Sequence, residues 1–262
     1  MGIVLKSYLK TMKITSGILI INKSPGPTSH DIVGQIRKIS GIKKVGHAGT
    51  LDPFAQGILI ILIGKATKLQ SKFMEMEKTY VASLRLGAIS DTYDKTGNIK
   101  LQNTRNPDLA KQSETGKIQT ITKKQIQNIL KSFIGEIEQV PPIFSAIKIN
   151  GKRAYKLARK GINPQLKSRK IKIYEIQLSK YKPASPASPA GGWSSLTIEV
   201  KCGKGTYIRS LANDIGKKLG CGAYLEELSR IKIGKFNIKN STKLKDLNSK
   251  NWTKKIISAN IN

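Results

Sequence analysis

Three observations predict an α+β domain built around one sheet. Strands and helices alternate irregularly, without a repeated strand–helix unit. The stretch Lys78 to Gly87 alternates with period two, placing Tyr80, Ala82, Leu84 and Leu86 on one face and Val81, Ser83 and Arg85 on the other. Two further stretches, opening near Thr28 and at Thr122, carry apolar residues at helical spacing behind a capping residue.

Taken in order, residues 1–16 read as an N-terminal extension, and Gly17–Lys23 (GILIINK) as a buried strand ended by the turn Ser24-Pro25-Gly26-Pro27. A helix follows, capped by Thr28 or Ser29, with Ile32, Ile36 and Ile39 on one face and Gly41 as its stop. The Gly-rich loop Gly46-His47-Ala48-Gly49-Thr50-Leu51-Asp52-Pro53 precedes an apolar run, Gly57 to Gly64. On local grounds Asp52-Pro53 reads as a helix N-cap with proline at the first helical position. Residues 88–121 are polar and read as surface loops. Thr122 and Gln125 form a capping box for a helix striped by Ile126, Ile129, Leu130 and Phe133. Two more strands, Lys170–Lys180 and Leu196–Cys202, flank a Pro-Ala-Ser segment, 183–192, read as a flexible hairpin extension. Lys204 to Arg209 leads into a helix bearing Leu211, Ile215 and Leu219 and closed by Gly220. Residues 239–262 read as a basic, weakly patterned tail.

The charge balance narrows the function. Against 16 Asp+Glu stand 47 Lys+Arg, a formal net charge of +31. Such an excess implies a polyanionic partner, either nucleic acid or an anionic membrane. The longest apolar run, Ile58 to Ile63, is far short of the about 20 residues that span a bilayer. No amphipathic helix with an aromatic anchor offers a peripheral membrane site, and the N-terminus lacks a signal peptide's apolar stretch. A cytoplasmic nucleic-acid-binding protein is the expectation, and the two cysteines, Cys202 and Cys221, fit a reducing compartment. Neither has a Cys or His neighbour at zinc-ligand spacing, so no metal is expected. Lys148, Lys152, Arg153, Lys156, Arg159 and Lys160 interleave with Tyr155 in the segment 141–162, a pattern suited to RNA contact or to a solvated helix face. With only His30 and His47, and no Ser or Cys beside a base, hydrolase triads are poorly supported. Asp52 remains as the carboxylate placed for chemistry.

Several motifs, in one order from Gly17 to Gly234, resemble the TruB family of pseudouridine synthases. They are Ile20-Ile21-Asn22-Lys23-Ser24-Pro25-Gly26, the loop Gly46 to Pro53 with Ala55-Gln56-Gly57-Ile58-Leu59, and Lys78-Thr79-Tyr80. Ser145-Ala146-Ile147-Lys148, Gly151-Lys152-Arg153-Ala154-Tyr155 and Lys204-Gly205-Thr206-Tyr207-Ile208-Arg209 complete the set. The resemblance implies the pseudouridine synthase fold, with a mixed, mainly antiparallel central sheet flanked by helices and loops, and a catalytic domain over 17–238. It implies conversion of uridine 55 in the tRNA T-loop to pseudouridine, with no cofactor. Asp52 falls on the catalytic aspartate, Tyr80 on the tyrosine that stacks on the target base, and Arg209 on the arginine that pairs with the aspartate. His47 matches a histidine that holds the flipped nucleotide; Lys23 and Leu228 match pocket positions. Lys148, Lys152, Arg153 and Tyr155 fall in the RNA-contacting segment. The implied partner is the tRNA T stem-loop, bound by a stand-alone monomer without an obligatory protein partner. Bacterial relatives carry a C-terminal RNA-binding module of the PUA type, and none is recognised in this chain. The competing expectations are a non-catalytic RNA-binding or RNA-folding protein and a synthase acting on another RNA.

Overall fold

The computed structural model describes residues 15–102, 121–183 and 194–258, which form two compact units. The first unit combines the chain up to Glu75 with the segment from Lys235 onward, and the second runs from Met76 to Gly234. The expected insertion at 183–192 lies, apart from Pro183, outside the described residues, as do residues 1–14 of the N-terminal extension.

In the first unit, strand β1 (Gly17–Lys23) is buried along nearly its whole length. Helix α1 (Ser29–Ser40) is capped by Thr28, whose hydroxyl accepts from the Asp31 amide while Asp31 accepts from the Thr28 amide. This reciprocal pair satisfies two amides at the helix start. The Asp31 carboxyl is held below its ordinary pKa chiefly by the Thr28 hydroxyl. Gly41 ends the helix with φ 71°, a left-handed conformation in which a Cβ is disfavoured. β2 (Val45–Ala48) and β3 (Gln56–Ile63) follow, both β1 and β2 pairing antiparallel with β3. A short helix, α2 (Gln70–Glu75), closes this half of the unit. The Asp52-Pro53 pair starts no helix: the Ala55 amide donates to the Asp52 carbonyl in a tight turn, and β3 begins at Gln56.

The second unit is built on a five-stranded antiparallel sheet with two small two-stranded hairpins beside it. Its members in chain order are β4 (Lys78–Leu86), the small hairpin β5 (Ala88–Ser90) and β6 (Ile99–Leu101), β7 (Gly135–Gln139), the hairpin β8 (Lys148–Ile149) and β9 (Lys152–Arg153), β10 (Arg169–Lys182), β11 (Ser195–Cys202) and β12 (Ala223–Ile233). The main sheet runs β12–β4–β11–β10–β7. Strand β4 buries Tyr80, Ala82, Leu84 and Leu86 as its alternation predicts. Helix α3 (Lys123–Lys131) carries the Thr122–Gln125 capping box and packs on β10; α4 (Ala154–Ala158) is a single short turn. Helix α5 (Ile208–Lys218) packs on β12 and β4. A Cβ on Gly216 of α5 would stand 2.1 Å from the Ala223 amide nitrogen, so glycine there sets how closely helix and strand approach. Part of the polar stretch 88–121 is the hairpin β5–β6 rather than surface loop, and Asp94 between its strands is buried; residues 103–120 lie outside the described ones.

The C-terminal residues are folded, in contrast to the tail expected from composition. Strands β13 (Phe236–Asn237) and β14 (Thr242–Lys243) follow the second unit, and β14 pairs parallel with β1. Leu247 and Trp252 are buried in one apolar cluster with Leu19, Ile21, Ile32, Ile36 and Leu59. Ile257 exchanges backbone hydrogen bonds with Ile18. Both units therefore show the mainly antiparallel sheet and flanking helices of the expected α+β class, with β14 pairing parallel to β1.

Candidate active site

Asp52 stands in a loop that is fixed on both sides. Before it, the buried Ser29 hydroxyl donates to the Leu51 carbonyl at 3.1 Å and accepts from the Leu51 amide at 2.9 Å. After it, the Pro53 carbonyl accepts from the Gly26 amide at 2.9 Å and from Lys23 Nζ at 3.1 Å. The same ammonium donates to the carbonyls of Ser24 and Pro27, each at 3.0 Å. Lys23 is fully buried, so this charge is stabilised by main-chain dipoles that it draws together. It ties the Ser24–Pro27 turn to the Asp52 loop. His47, on β2, packs edge-on against His30 with ring centroids 5.9 Å apart, and its carbonyl accepts from Gln70 Nε2 at 2.9 Å. Within this unit the structure thus brings Lys23 to the rim of the Asp52 loop and holds His47 at the loop's beginning.

Arg209, in the first turn of α5, is buried in the second unit. Its guanidinium pairs with Asp94 at 3.4 Å and donates to the Phe144 carbonyl at 3.0 Å and the Thr92 carbonyl at 3.4 Å. Asp94 is itself fixed: one carboxylate oxygen accepts from the Thr96 amide at 2.9 Å and from the Thr92 hydroxyl at 2.8 Å, while the other faces Arg209. The entry to α5 is held by Gln139, whose side-chain amide bonds the Tyr207 amide and carbonyl at 2.8 and 3.1 Å, and by Ser210, which donates to the Val140 carbonyl at 2.8 Å. Sequence reasoning did not single out Asp94 or Gln139. Asp94 lies in a polar stretch that reads locally as loop, and only the fold shows it buried beside Arg209.

Tyr80 lies near the start of β4, between Val200 of β11 and Arg230 of β12, and is 9% exposed. Leu228 of β12 is buried opposite Ala82. Lys148, Lys152 and Arg153 lie exposed on the β8–β9 hairpin, with Tyr155 partly buried in α4 and Arg159 stacked 5.4 Å from its ring. Cys202 is not available as a nucleophile: burial pushes its thiol up to about 11. Burial likewise raises Asp214 and Tyr93 above their ordinary values. Among the described residues no group of three or more His, Cys, Asp and Glu is arranged to hold a metal ion.

Fold and motif-bearing loop together define a pseudouridylate synthase, an isomerase, and comparison with known proteins says which kind. The model of the TruB family pseudouridylate synthase N-terminal domain matches residues 37–208, and that of the tRNA pseudouridylate synthase B C-terminal domain matches 209–260. The chain belongs to the TruB family. It is 44% identical over 244 residues to the tRNA pseudouridine synthase B of Clostridium tetani, covering 93% of this chain and 76% of that protein. With the enzyme of the same name from Clostridium acetobutylicum it shares 47% over 242 residues, 92% of this chain and 75% of that one. Among solved structures, a chain of a Cbf5-Nop10-Gar1 complex superposes with a TM-score of 0.63 at 30% identity. A chain of an H/ACA RNP bound to a substrate RNA containing 2′-deoxyuridine gives 0.61 at 27%. Each comparison covers 90% of this chain, which spans about half the length of those solved chains, 54% and 53% respectively.

Proposed function

We propose that this protein is a tRNA pseudouridine synthase that isomerises uridine 55 of the T-loop. The observation that carries this reading is Asp52, held between two clamped residues inside the motif of the family to which the chain belongs. Pseudouridine formation breaks the C1′–N1 bond, turns the uracil and joins C1′ to C5, with no net gain or loss of atoms. The reaction therefore calls for positioning and one carboxylate rather than a redox partner. The uridine must leave its stack, which costs a few kcal/mol, and an aromatic face such as Tyr80 recovers roughly 1–3 kcal/mol of that.

In this reading Asp52 starts the cleavage by acting at C1′, at C6 or on the 2′ proton. A fixed loop keeps the carboxylate from spending the reaction's driving force on its own ordering. Arg209 favours the ionised carboxylate, and Asp94 orients Arg209. Tyr80 stacks on the base and presents its phenol oxygen to the C5 proton. His47 steadies the flipped nucleotide, and the β8–β9 hairpin with Lys148, Lys152, Arg153 and Tyr155 grips the T stem-loop through its backbone. The protein acts as a monomer in the cytoplasm without an obligatory partner. Binding through ~6 phosphates weakens about a thousandfold between roughly 50 and 200 mM salt.

The test uses a T-arm hairpin and full-length tRNA transcripts, each with uridine or cytidine at position 55. Pseudouridine is mapped by carbodiimide adducts that stop primer extension. The expected result is a stop at position 55 in both uridine-bearing RNAs and none in the cytidine variants. Modification elsewhere, or of ribosomal RNA fragments in preference to the hairpin, would overturn the assignment of position.

A further inference from the structure

The C-terminal segment carries a concentration of charge that nothing in the proposed chemistry uses. Between Lys235 and Ser258 stand seven lysines, at 235, 239, 243, 245, 250, 254 and 255, against one acid, Asp246, and every one of these lysines is exposed. Their backbone is nonetheless fixed. β14 pairs with Ile21 and Asn22 of β1, and Ile257 pairs with Ile18. The turn from Asp246 to Trp252 is built by two asparagines: Asn251 Nδ2 donates to the Asp246 carbonyl at 2.9 Å, and Asn248 Oδ1 accepts from the amides of Lys250 and Asn251 at 2.9 and 3.1 Å. Leu247 and Trp252 are buried, so the segment is pinned at its centre and at both ends.

The pinning also sets what lies beside it. Ile39 and Ile42, at the end of α1 and just after it, pack on the same cluster as Leu244 and Ile256. Exposed cations flank all four: Lys38 and Lys43 on the helix side, Lys243, Lys245 and Lys255 on the C-terminal side. Like charges gathered this way repel one another and cost stability unless an anion offsets them. A flexible tail would relieve that repulsion by spreading; a segment fixed through Trp252 cannot.

We infer that this lysine-bearing face of the first unit, made by residues 239–255 with the end of α1, is a second RNA-binding surface that holds tRNA backbone phosphates. It rests on the reading of tRNA as the substrate, and it engages phosphates other than those held by the β8–β9 hairpin. Charge complementarity selects the occupant: an array of lysines without an exposed aromatic partner suits a phosphate chain more than unstacked bases. Because its backbone is already ordered, the surface loses little conformational entropy on binding.

The test replaces Lys245, Lys250, Lys254 and Lys255 together by glutamine and measures full-length tRNA binding by filter retention from about 50 to 300 mM salt. Each lost phosphate contact lowers the slope of log K against log salt by roughly 0.7–0.9, so the four substitutions together should lower it by about three. Affinity at about 150 mM salt should fall at least tenfold, with turnover at saturating tRNA unchanged. The same four positions changed to arginine should bind as the wild type does. An unchanged slope in a variant that melts like the wild type would overturn the inference. So would binding of phosphatidylserine vesicles through these lysines with tRNA affinity intact. Should the fourfold variant melt early, Lys250→Gln and Lys254→Gln singly, both at exposed turn positions, read the same slope in smaller steps. A wild type that binds tRNA without modifying it would sink the proposed activity, yet the slope comparison would still decide this surface.

Discussion

Lys23 and Arg209 are both buried cations in family motifs, and the molecule holds them in opposite ways. Lys23 binds three main-chain carbonyls, from Ser24, Pro27 and Pro53, and so ties one stretch of backbone to another. Arg209 binds a carboxylate, Asp94, as well as two carbonyls, so its position depends on a side-chain network that is itself anchored by Thr92 and Thr96. The contrast separates two tasks. Around Asp52 the fold fixes the path of a loop, and the carboxylate inherits its place from the backbone. Around Arg209 the fold fixes the direction of a charged group. A defect in the first region should therefore appear as lost stability together with lost rate, and a defect in the second mainly as lost rate.

The largest effect that sharpens this comparison is expected from Lys23→Met. It removes three hydrogen bonds from the buried Lys23 side chain to main-chain carbonyls, each charge-assisted bond worth about 1.5–3 kcal/mol, so urea unfolding should show a loss of at least about 3 kcal/mol with kcat reduced as well. A variant of wild-type stability would show that Lys23 is not the tie. Trp252→Ala comes next, with about 3–5 kcal/mol expected for truncating a buried aromatic. That loss would establish the C-terminal segment as core of the first unit, whereas a change below about 1 kcal/mol would mark it as a surface appendage. Asp94→Asn keeps size and one acceptor oxygen but removes the charge facing Arg209. A fall in kcat of roughly a hundredfold is expected, with tRNA affinity nearly intact and recovery in part by Asp94→Glu; equal losses in kcat and fold stability would erase the contrast drawn above.

The smallest effect concerns Asp214. Burial raises its pKa above the ordinary 3.8, so the folded state binds this proton more tightly than the unfolded chain does. Its contribution to stability is present below that ordinary value and is lost as pH rises through the raised one. Asp214→Asn should accordingly melt slightly higher than the wild type at neutral pH, and the two should converge near pH 3. Divergence that grows on acidification would reverse the sign.

The elements legible in the sequence are those whose signals are local. The Thr28 and Thr122 caps, the Gly41 stop and the alternation through Tyr80 to Leu86 each report a conformation that neighbouring residues decide. Asp52-Pro53 misleads on the same grounds, because a cap and a turn begin alike and the choice lies with β3, whose pairing partners are distant in sequence. The C-terminal segment is illegible for a related reason. Its two anchors, Leu247 and Trp252, stand isolated among lysines and asparagines with no period to reveal the face they bury. Of the candidate site residues, Asp52, Tyr80 and Arg209 are read through the family's motifs, while Ser29, Gln139 and Asp94 become visible only through the hydrogen bonds and ion pair they make, within their own units, across 22, 68 and 115 positions of sequence. Sequence reports what a residue is; the fold decides which distant backbone it must hold.

The proposed mechanism rests on the Asp52 carboxylate. It is tested most directly by counting tritium released to water from tRNA labelled at uracil C5, with the wild type and with Asp52→Asn in parallel. The C5 hydrogen must leave when C5 takes over the bond to C1′. Release is expected from the wild type and, at matched tRNA binding, a loss of about a thousandfold or more in the variant. Comparable release by both would move the chemistry away from Asp52 and contradict it.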